Sequence, residues 1–237
     1  MVTAAIVTIG NELLSGDVVD SNAVWLAKRL ERAGIHVELV ATLPDAVERI
    51  ASFVGRTAAE EDLVVVTGGL GGTPDDVTRE AMAAAFAVAQ AEVPELAKAL
   101  RGRFPHDPDY AVGWARLPVG SRPLENPLGG APGFVIENVY VLPGLPAEME
   151  AMFDTCEEEL RAGPPIASWR RTYRTRESEI ARLLAEAESS CPGVRIGSYP
   201  TFGSSGPEVE VVLKSADAAR LRAAVALLEP ELERVTS

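Results

Sequence analysis

The chain has 237 residues, 47% of them hydrophobic, which supports a packed core and argues against disorder. Its 35 acidic side chains against 22 basic ones leave a net charge of −13, which argues against nucleic acid as a partner, because phosphate binding needs clustered Lys and Arg. No basic, cleavable leader opens the chain, and the longest apolar run, residues 81–89, is far short of the roughly 20 residues of a membrane span, so a cytoplasmic protein without membrane contact is expected.

Residues 4–9 form a short β-branched run, as in a buried parallel strand. Residues 21–33 predict a helix capped by Asp20 or Ser21, with Val24, Leu26, Ala27 and Leu30 as its apolar stripe and Gly34 as its stop. A second strand over residues 35–42 and a second helix over 45–59 follow. Residues 63–67 predict a third buried strand, which breaks into a glycine run before a helix from about Asp76. Three strand–helix units in series predict an α/β fold, a three-layer α/β/α mostly parallel sheet with right-handed crossovers. A helix is expected over residues 93–103 and a Pro/Gly-rich surface segment over 104–132. Paired strands at 134–136 and 139–142 precede a helix from Pro146 to Leu160. The Ala162-Gly163-Pro164-Pro165 stretch reads as a linker, giving a first domain over residues 1–163 and a small α+β module over 168–237.

Parallel sheets bind ligands beyond the carboxyl ends of their strands. Three such ends carry unusual loops here: residues 10–17, Pro44-Asp45, and the run from Thr67 through Gly68, Gly69, Leu70, Gly71, Gly72, Thr73 and Pro74 to Asp75 and Asp76. The glycines let backbone amides approach a ligand, and with a helix start beyond they suit phosphate or diphosphate. The loop is neither a Walker loop nor the dinucleotide fingerprint. Glu12, Asp75 and Asp76 beside a phosphate cradle call for a bridging cation such as Mg²⁺. Asp45 could act as a base for water or accept from a ribose hydroxyl. Taken singly, each carboxylate could equally be a helix cap or a solvated residue. Residues 126–133 and 142–149 form two further Pro/Gly loops, the second bringing Gly144 and Glu148 to a helix start. Two histidines, His36 and His106, and two cysteines, Cys156 and Cys191, make no zinc spacing and no nucleophilic triad. Acid–base work therefore falls to carboxylates, water and metal, which favours phosphoryl or pyrophosphate chemistry.

The run 67–78 resembles the signature of the molybdopterin-binding (MoaB/MogA-like) superfamily. With Ile9-Gly-Asn-Glu-Leu-Leu-Ser-Gly16, Val19-Asp-Ser-Asn22, residues 126–133 and residues 142–149, it resembles the CinA (competence/damage-inducible protein A) family. The tail from Arg170 is similar to that family's small KH-like module, without a basic GxxG loop. Gly72 and Gly130 depart from the Pro and Thr usual in the family. The resemblance stops short of the nicotinamide-nucleotide amidase domain that many members carry, so that activity is not expected here.

What the resemblance implies is a metal-dependent pyrophosphatase acting on ADP-ribose or a related dinucleotide such as FAD, with Mg²⁺ or Co²⁺ and K⁺ as a helper. Glu12, Asp75 and Asp76 would hold the metal or orient water, and the 68–72 backbone the diphosphate, flanked by Thr67 and Thr73. Asn11, Asp45 and Asn22 would contact ribose or the leaving portion, with Gly144 and Glu148 opposite. By alignment, the two acidic pocket residues of the molybdopterin adenylyltransferases fall on Asp45 and Asp76. A homodimer is expected from the resemblance alone. The alternatives are molybdopterin adenylylation and a non-catalytic pterin- or nucleotide-binding protein.

Overall fold

A computed structural model of the chain describes residues 2–203 and 206–236, which divide into two units, Met1–Gly163 and Pro164–Ser237. The first unit opens with β1 (Thr3–Ile9), α1 (Asn11–Ser15), α2 (Ser21–Arg32), β2 (His36–Leu43), α3 (Val47–Glu60), β3 (Leu63–Thr67) and α4 (Thr78–Ala85). It continues through β4 (Gln90–Glu92), α5 (Pro94–Arg103), α6 (Pro108–Val112), a single 3₁₀ turn at Gly113–Ala115, β5 (Arg116–Pro118) and β6 (Arg122–Leu124). The strands β7 (Gly133–Ile136) and β8 (Val139–Leu142) and the helix α7 (Pro146–Leu160) complete it.

Six strands form the main sheet in the order β2-β1-β3-β8-β7-β6. The first four run parallel, and β7 and β6 run antiparallel to their neighbours. This is the three-layer, mostly parallel architecture expected from the strand–helix alternation. Residues of β1 and β3 point alternately to the two faces, as the two-residue period of a strand requires. Ala5, Val7, Val64 and Val66 pack with α3, α4 and α5 on one face. Ala4, Ile6, Leu63 and Val65 pack with α2 and α7 on the other. Because both faces are covered, β3 is buried along its whole length.

Several boundaries differ from the sequence expectation. Asp20 caps α2, its side chain accepting from the Ala23 amide at 2.9 Å, whereas Val24 is 55% exposed and lies off the buried stripe of Ala23, Leu26 and Leu30. Helix α3 starts two residues after Asp45, and α4 starts at Thr78 with no side-chain cap, so neither Asp75 nor Asp76 serves as one. The 104–132 segment is not confined to the surface. Trp114, Ala115, Leu117 and Ala131 are buried in the core on the α3–α5 face of the sheet, and Leu124, in β6, is buried in the core on the other face.

The second unit contains β9 (Ala167–Tyr173), α8 (Glu177–Ser190), β10 (Arg195–Gly203), β11 (Gly206–Ser215) and α9 (Ala218–Thr236). Its antiparallel sheet, ordered β10-β11-β9, builds its own core with the two helices around Val209, Val211, Leu213, Ile180 and Leu228. Among the described residues, no helix is long and apolar enough to cross a membrane.

Candidate functional site

The parallel strands β2, β1, β3 and β8 all end at one edge of the sheet, and the antiparallel β7 begins there. A cleft of about 410 Å³ opens at that edge. Its floor is the glycine loop after β3. Gly68 has φ +111°, and a Cβ there would overlap the Ile9 carbonyl oxygen. Gly69 has φ +63°, and a Cβ there would meet the Thr78 hydroxyl. Only glycine fits these two positions.

Helix α4 takes up the four carbonyls from Gly68 to Gly71. The Thr78 hydroxyl donates to Gly68 O at 2.9 Å, and the Thr78 amide donates to Gly69 O at 3.2 Å. The Arg79 guanidinium donates through Nη1 to Leu70 O at 2.8 Å and through Nη2 to Gly71 O at 2.7 Å. Among the described residues, the amides of Gly69, Leu70 and Gly71 donate to no partner. The carbonyls thus face the helix while three successive donors remain free in residues that line the cleft. Donors of this kind take their acceptor from solvent or from a ligand in the cleft. The first amide of α4, by contrast, is occupied by Gly69 and is not available to an anion.

Carboxylates surround this cradle. Asp45 Oδ2 accepts from the Asn11 amide at 2.8 Å, which ties the β2 loop to the start of α1. Burial raises its pKa above the ordinary aspartate value, and the charges of Glu12, Asp75 and Asp76 push the same way against the Asn11 hydrogen bond. Asp76 Oδ2 accepts from the Thr73 amide at 2.8 Å and the Thr73 hydroxyl at 2.5 Å, closing the turn before α4. Hydrogen bonding to Thr73 holds the exposed Asp75 carboxyl below its usual range. Across the cleft, Glu148 Oε2 accepts from Asn126 Nδ2 at 2.9 Å. Asn126 is buried and also bonds Ala131 O and the Leu128 amide, so it fixes the direction of Glu148.

Ten of the residues singled out in sequence line this one cleft: Glu12, Asp45, Gly68, Gly69, Leu70, Gly71, Asp75, Asp76, Gly144 and Glu148. Five do not. Asn11 contributes its amide to Asp45 rather than a side chain to the cleft. Thr73 and Gly72 stand outside, Thr73 in the turn with Asp76 and Gly72 under the Tyr110 ring. Thr67 and Asn22 line an adjoining hollow of about 80 Å³ that shares Ile9, Glu12 and Gly144 with the cleft. The Thr67 hydroxyl donates to Pro143 O at 2.7 Å, and Asn22 Nδ2 donates to Thr67 Oγ1 at 3.2 Å and Gly144 O at 2.8 Å. This network pins the Pro143-Gly144 turn against the glycine loop. Among the described residues, no three His, Cys, Asp or Glu side chains converge closely enough to hold a metal ion, and Glu12, Asp75 and Asp76 do not form such a cluster.

Sequence reasoning missed Arg79, Asn126 as a positioning residue, and Trp114, whose indole lines the cleft. Arg79 did leave a signal. A cation in the first turn of a helix opposes the helix dipole, and such a break in local preference asks for a tertiary reason.

Comparison with known proteins agrees with the fold of the first unit. Residues 5–162 match the family described as probable molybdopterin binding domain. The solved structure of the protein CinA, described as of unknown function, from Thermoplasma acidophilum has a TM-score of 0.63 and 32% identity, covering 67% of this chain and 98% of that one. The chain belongs to the CinA-like family. A CinA-like protein of Citrifermentans bemidjiense is 37% identical over 89% of this chain but only 53% of its own length, so the chain spans about half of that relative. A protein of Archaeoglobus fulgidus is 39% identical and matches end to end more fully, over 89% of this chain and 93% of its own. Residues 168–236 match the family described as FAD synthase, middle domain.

Proposed function

We propose that this CinA-like chain is a nucleotide pyrophosphatase that hydrolyses ADP-ribose, or a related dinucleotide such as FAD, to AMP and a phosphorylated product. One observation carries the reading: α4 occupies all four carbonyls from Gly68 to Gly71, and three amides at the cleft are left without an acceptor. A diphosphate supplies acceptors at that spacing, and backbone donors are the sequence-independent way to hold it. The FAD synthase likeness of residues 168–236 supports a flavin dinucleotide among the substrates.

In this reading, water attacks the adenylate phosphorus and its oxygen forms the new P–O bond. The anhydride P–O bond breaks, and its electron pair leaves with the phosphate of the second product. The proton of the water passes to a carboxylate. Asp45 suits that role, because its raised pKa makes it a better proton acceptor than an ordinary aspartate. Glu12, Asp75 and Asp76 are hard oxygen donors of the type Mg²⁺ or Co²⁺ takes. Since no three of them converge, a cation would draw its remaining ligands from phosphate oxygens and water. When bound, the ion supplies charge neutralisation for the anhydride; K⁺ would assist only as a further counter-ion. Glu148, aimed by Asn126, borders the leaving portion.

The test is to incubate the protein with ADP-ribose, and separately FAD, with Mg²⁺ or Co²⁺, and to quantify AMP. Metal-dependent AMP that EDTA abolishes and Asp76→Asn reduces supports the reading; AMP formation from neither substrate removes it. The match to the probable molybdopterin binding domain family favours one second reading, in which the same cleft takes a pterin and either adenylylates it or only binds it. That reading expects molybdopterin binding, with transfer of AMP from ATP in the catalytic case and no turnover in the other.

A further inference from the structure

Arg79 is 8% exposed and lies in the first turn of α4, two places where a guanidinium is unfavourable. Its hydrogen bonds go to two successive peptide carbonyls, Leu70 O and Gly71 O, and not to a carboxylate. The Leu70 carbonyl shares its peptide unit with the Gly71 amide, one of the three free donors at the cleft, and the Gly71 carbonyl shares its own with the amide of Gly72, which stands outside. A charged donor on a carbonyl polarises the whole unit and strengthens its N–H as a donor on the opposite side. Beyond the loop, the cleft is lined by the carboxylates of Glu12, Asp45, Asp75, Asp76 and Glu148, and among the described residues no Lys, Arg or His side chain lines it. Without a positive charge behind the loop, those carboxylates would repel any anion.

We propose that Arg79 is the buried counter-charge of the glycine loop: it positions Leu70 and Gly71 and makes their side of the cleft selective for a diphosphate over a monophosphate or a neutral ligand. The proposal rests on the reading of the cleft as a nucleotide diphosphate site. Arg79 itself does not touch the ligand; it acts through the Leu70–Gly71 peptide unit and by fixing the Gly71 carbonyl. Desolvation lowers its pKa and the charge of Asp76 opposes that shift, but an arginine stays protonated throughout the working range.

Two substitutions separate charge from hydrogen bonding. Arg79→Lys keeps the charge and loses the two-pronged geometry. Arg79→Gln keeps one donor and loses the charge. Binding of ADP-ribose, AMP and inorganic pyrophosphate would be measured by titration calorimetry on the full chain, alongside thermal unfolding of each variant. Arg79→Gln is expected to weaken ADP-ribose and pyrophosphate by about tenfold or more and AMP by much less, while Arg79→Lys stays within about threefold of the unmodified chain. Equal losses in the two variants, or an equal loss for AMP and ADP-ribose, would overturn the proposal and leave Arg79 as a structural clamp. Should Arg79→Gln not fold, Arg79→Lys decides alone: a tenfold loss there, in a folded protein, overturns the charge role. If the unmodified chain binds neither ADP-ribose nor pyrophosphate, the diphosphate reading itself fails and the proposal falls with it. If the unmodified chain binds them and Arg79→Gln binds equally well, only the proposal for Arg79 fails.

Discussion

Asp45 joins the electrostatics of the cleft to a measurable pH dependence. Its pKa is raised by burial and by three neighbouring carboxylates. A carboxyl raised in the folded state contributes stability that is fully present below its unfolded value of about 3.9 and is lost as pH rises through the folded pKa. At neutral pH its charge is therefore a net cost to the fold. Asp45→Asn keeps an oxygen to accept from the Asn11 amide and removes that charge, so Tm at pH 7 should rise or hold while turnover falls by about 10²-fold or more. Thermal unfolding and AMP release on one preparation check both halves. The acid limb of kcat/KM should also lie above the ordinary aspartate range and disappear in the variant. Gly68→Ala tests the floor. With φ +111° and the Ile9 carbonyl in the way, it should cost roughly 1–3 kcal/mol by denaturant unfolding and abolish ligand binding. Thr67→Val leaves Asn22 and Pro143 without their shared partner, and should cost about 1–3 kcal/mol.

Elements with a clear period were legible before the structure. The β-branched runs of β1 and β3 and the capped, glycine-stopped pattern of α2 stand within a residue or two of their expected places. Val24 was misplaced because a helix of about 100° per residue leaves it on the flank of the stripe, and only the position of the sheet decides which flank is covered. Leu26, fully buried beneath that sheet, should cost about 2–5 kcal/mol as Leu26→Ala. The start of α4 was also misread. Asp75 and Asp76 look like caps in sequence, but the turn they sit in is closed by Thr73, and α4 directs its first two residues to the glycine loop. In the second unit, α9 carries Pro230 in its interior on an exposed face. Pro230→Ala restores a main-chain donor and should stabilise that helix by up to about 3 kcal/mol, read as a higher Tm.

At the scale of the whole molecule, each unit owns a core. The first is a sheet packed on both faces, and the second a three-stranded sheet backed by two helices. Every residue that lines the cleft lies in the first unit. Residues 1–163 expressed alone should therefore fold cooperatively and bind ADP-ribose with an affinity close to that of the full chain. A fragment that folds but fails to bind would assign the remaining determinants to the second unit. Cys156 is buried, and its thiol is pushed up to about 12, chiefly by desolvation, so mild alkylation should leave activity unchanged.

Composition and local order were enough to determine the α/β class, the strand–helix alternation, the glycine loop and the presence of several carboxylates at strand ends. These depend on periodicity and on conformations only glycine adopts, both of which are properties of short segments. Tertiary structure decided which of those residues share one cleft. It tied Thr67 and Asn22 to the Pro143-Gly144 turn, turned four carbonyls toward α4, and brought Arg79 and Asn126 into support of the site. Those outcomes depend on strand order and on what a buried polar group finds within reach, and neither is written in the spacing of residues along the chain.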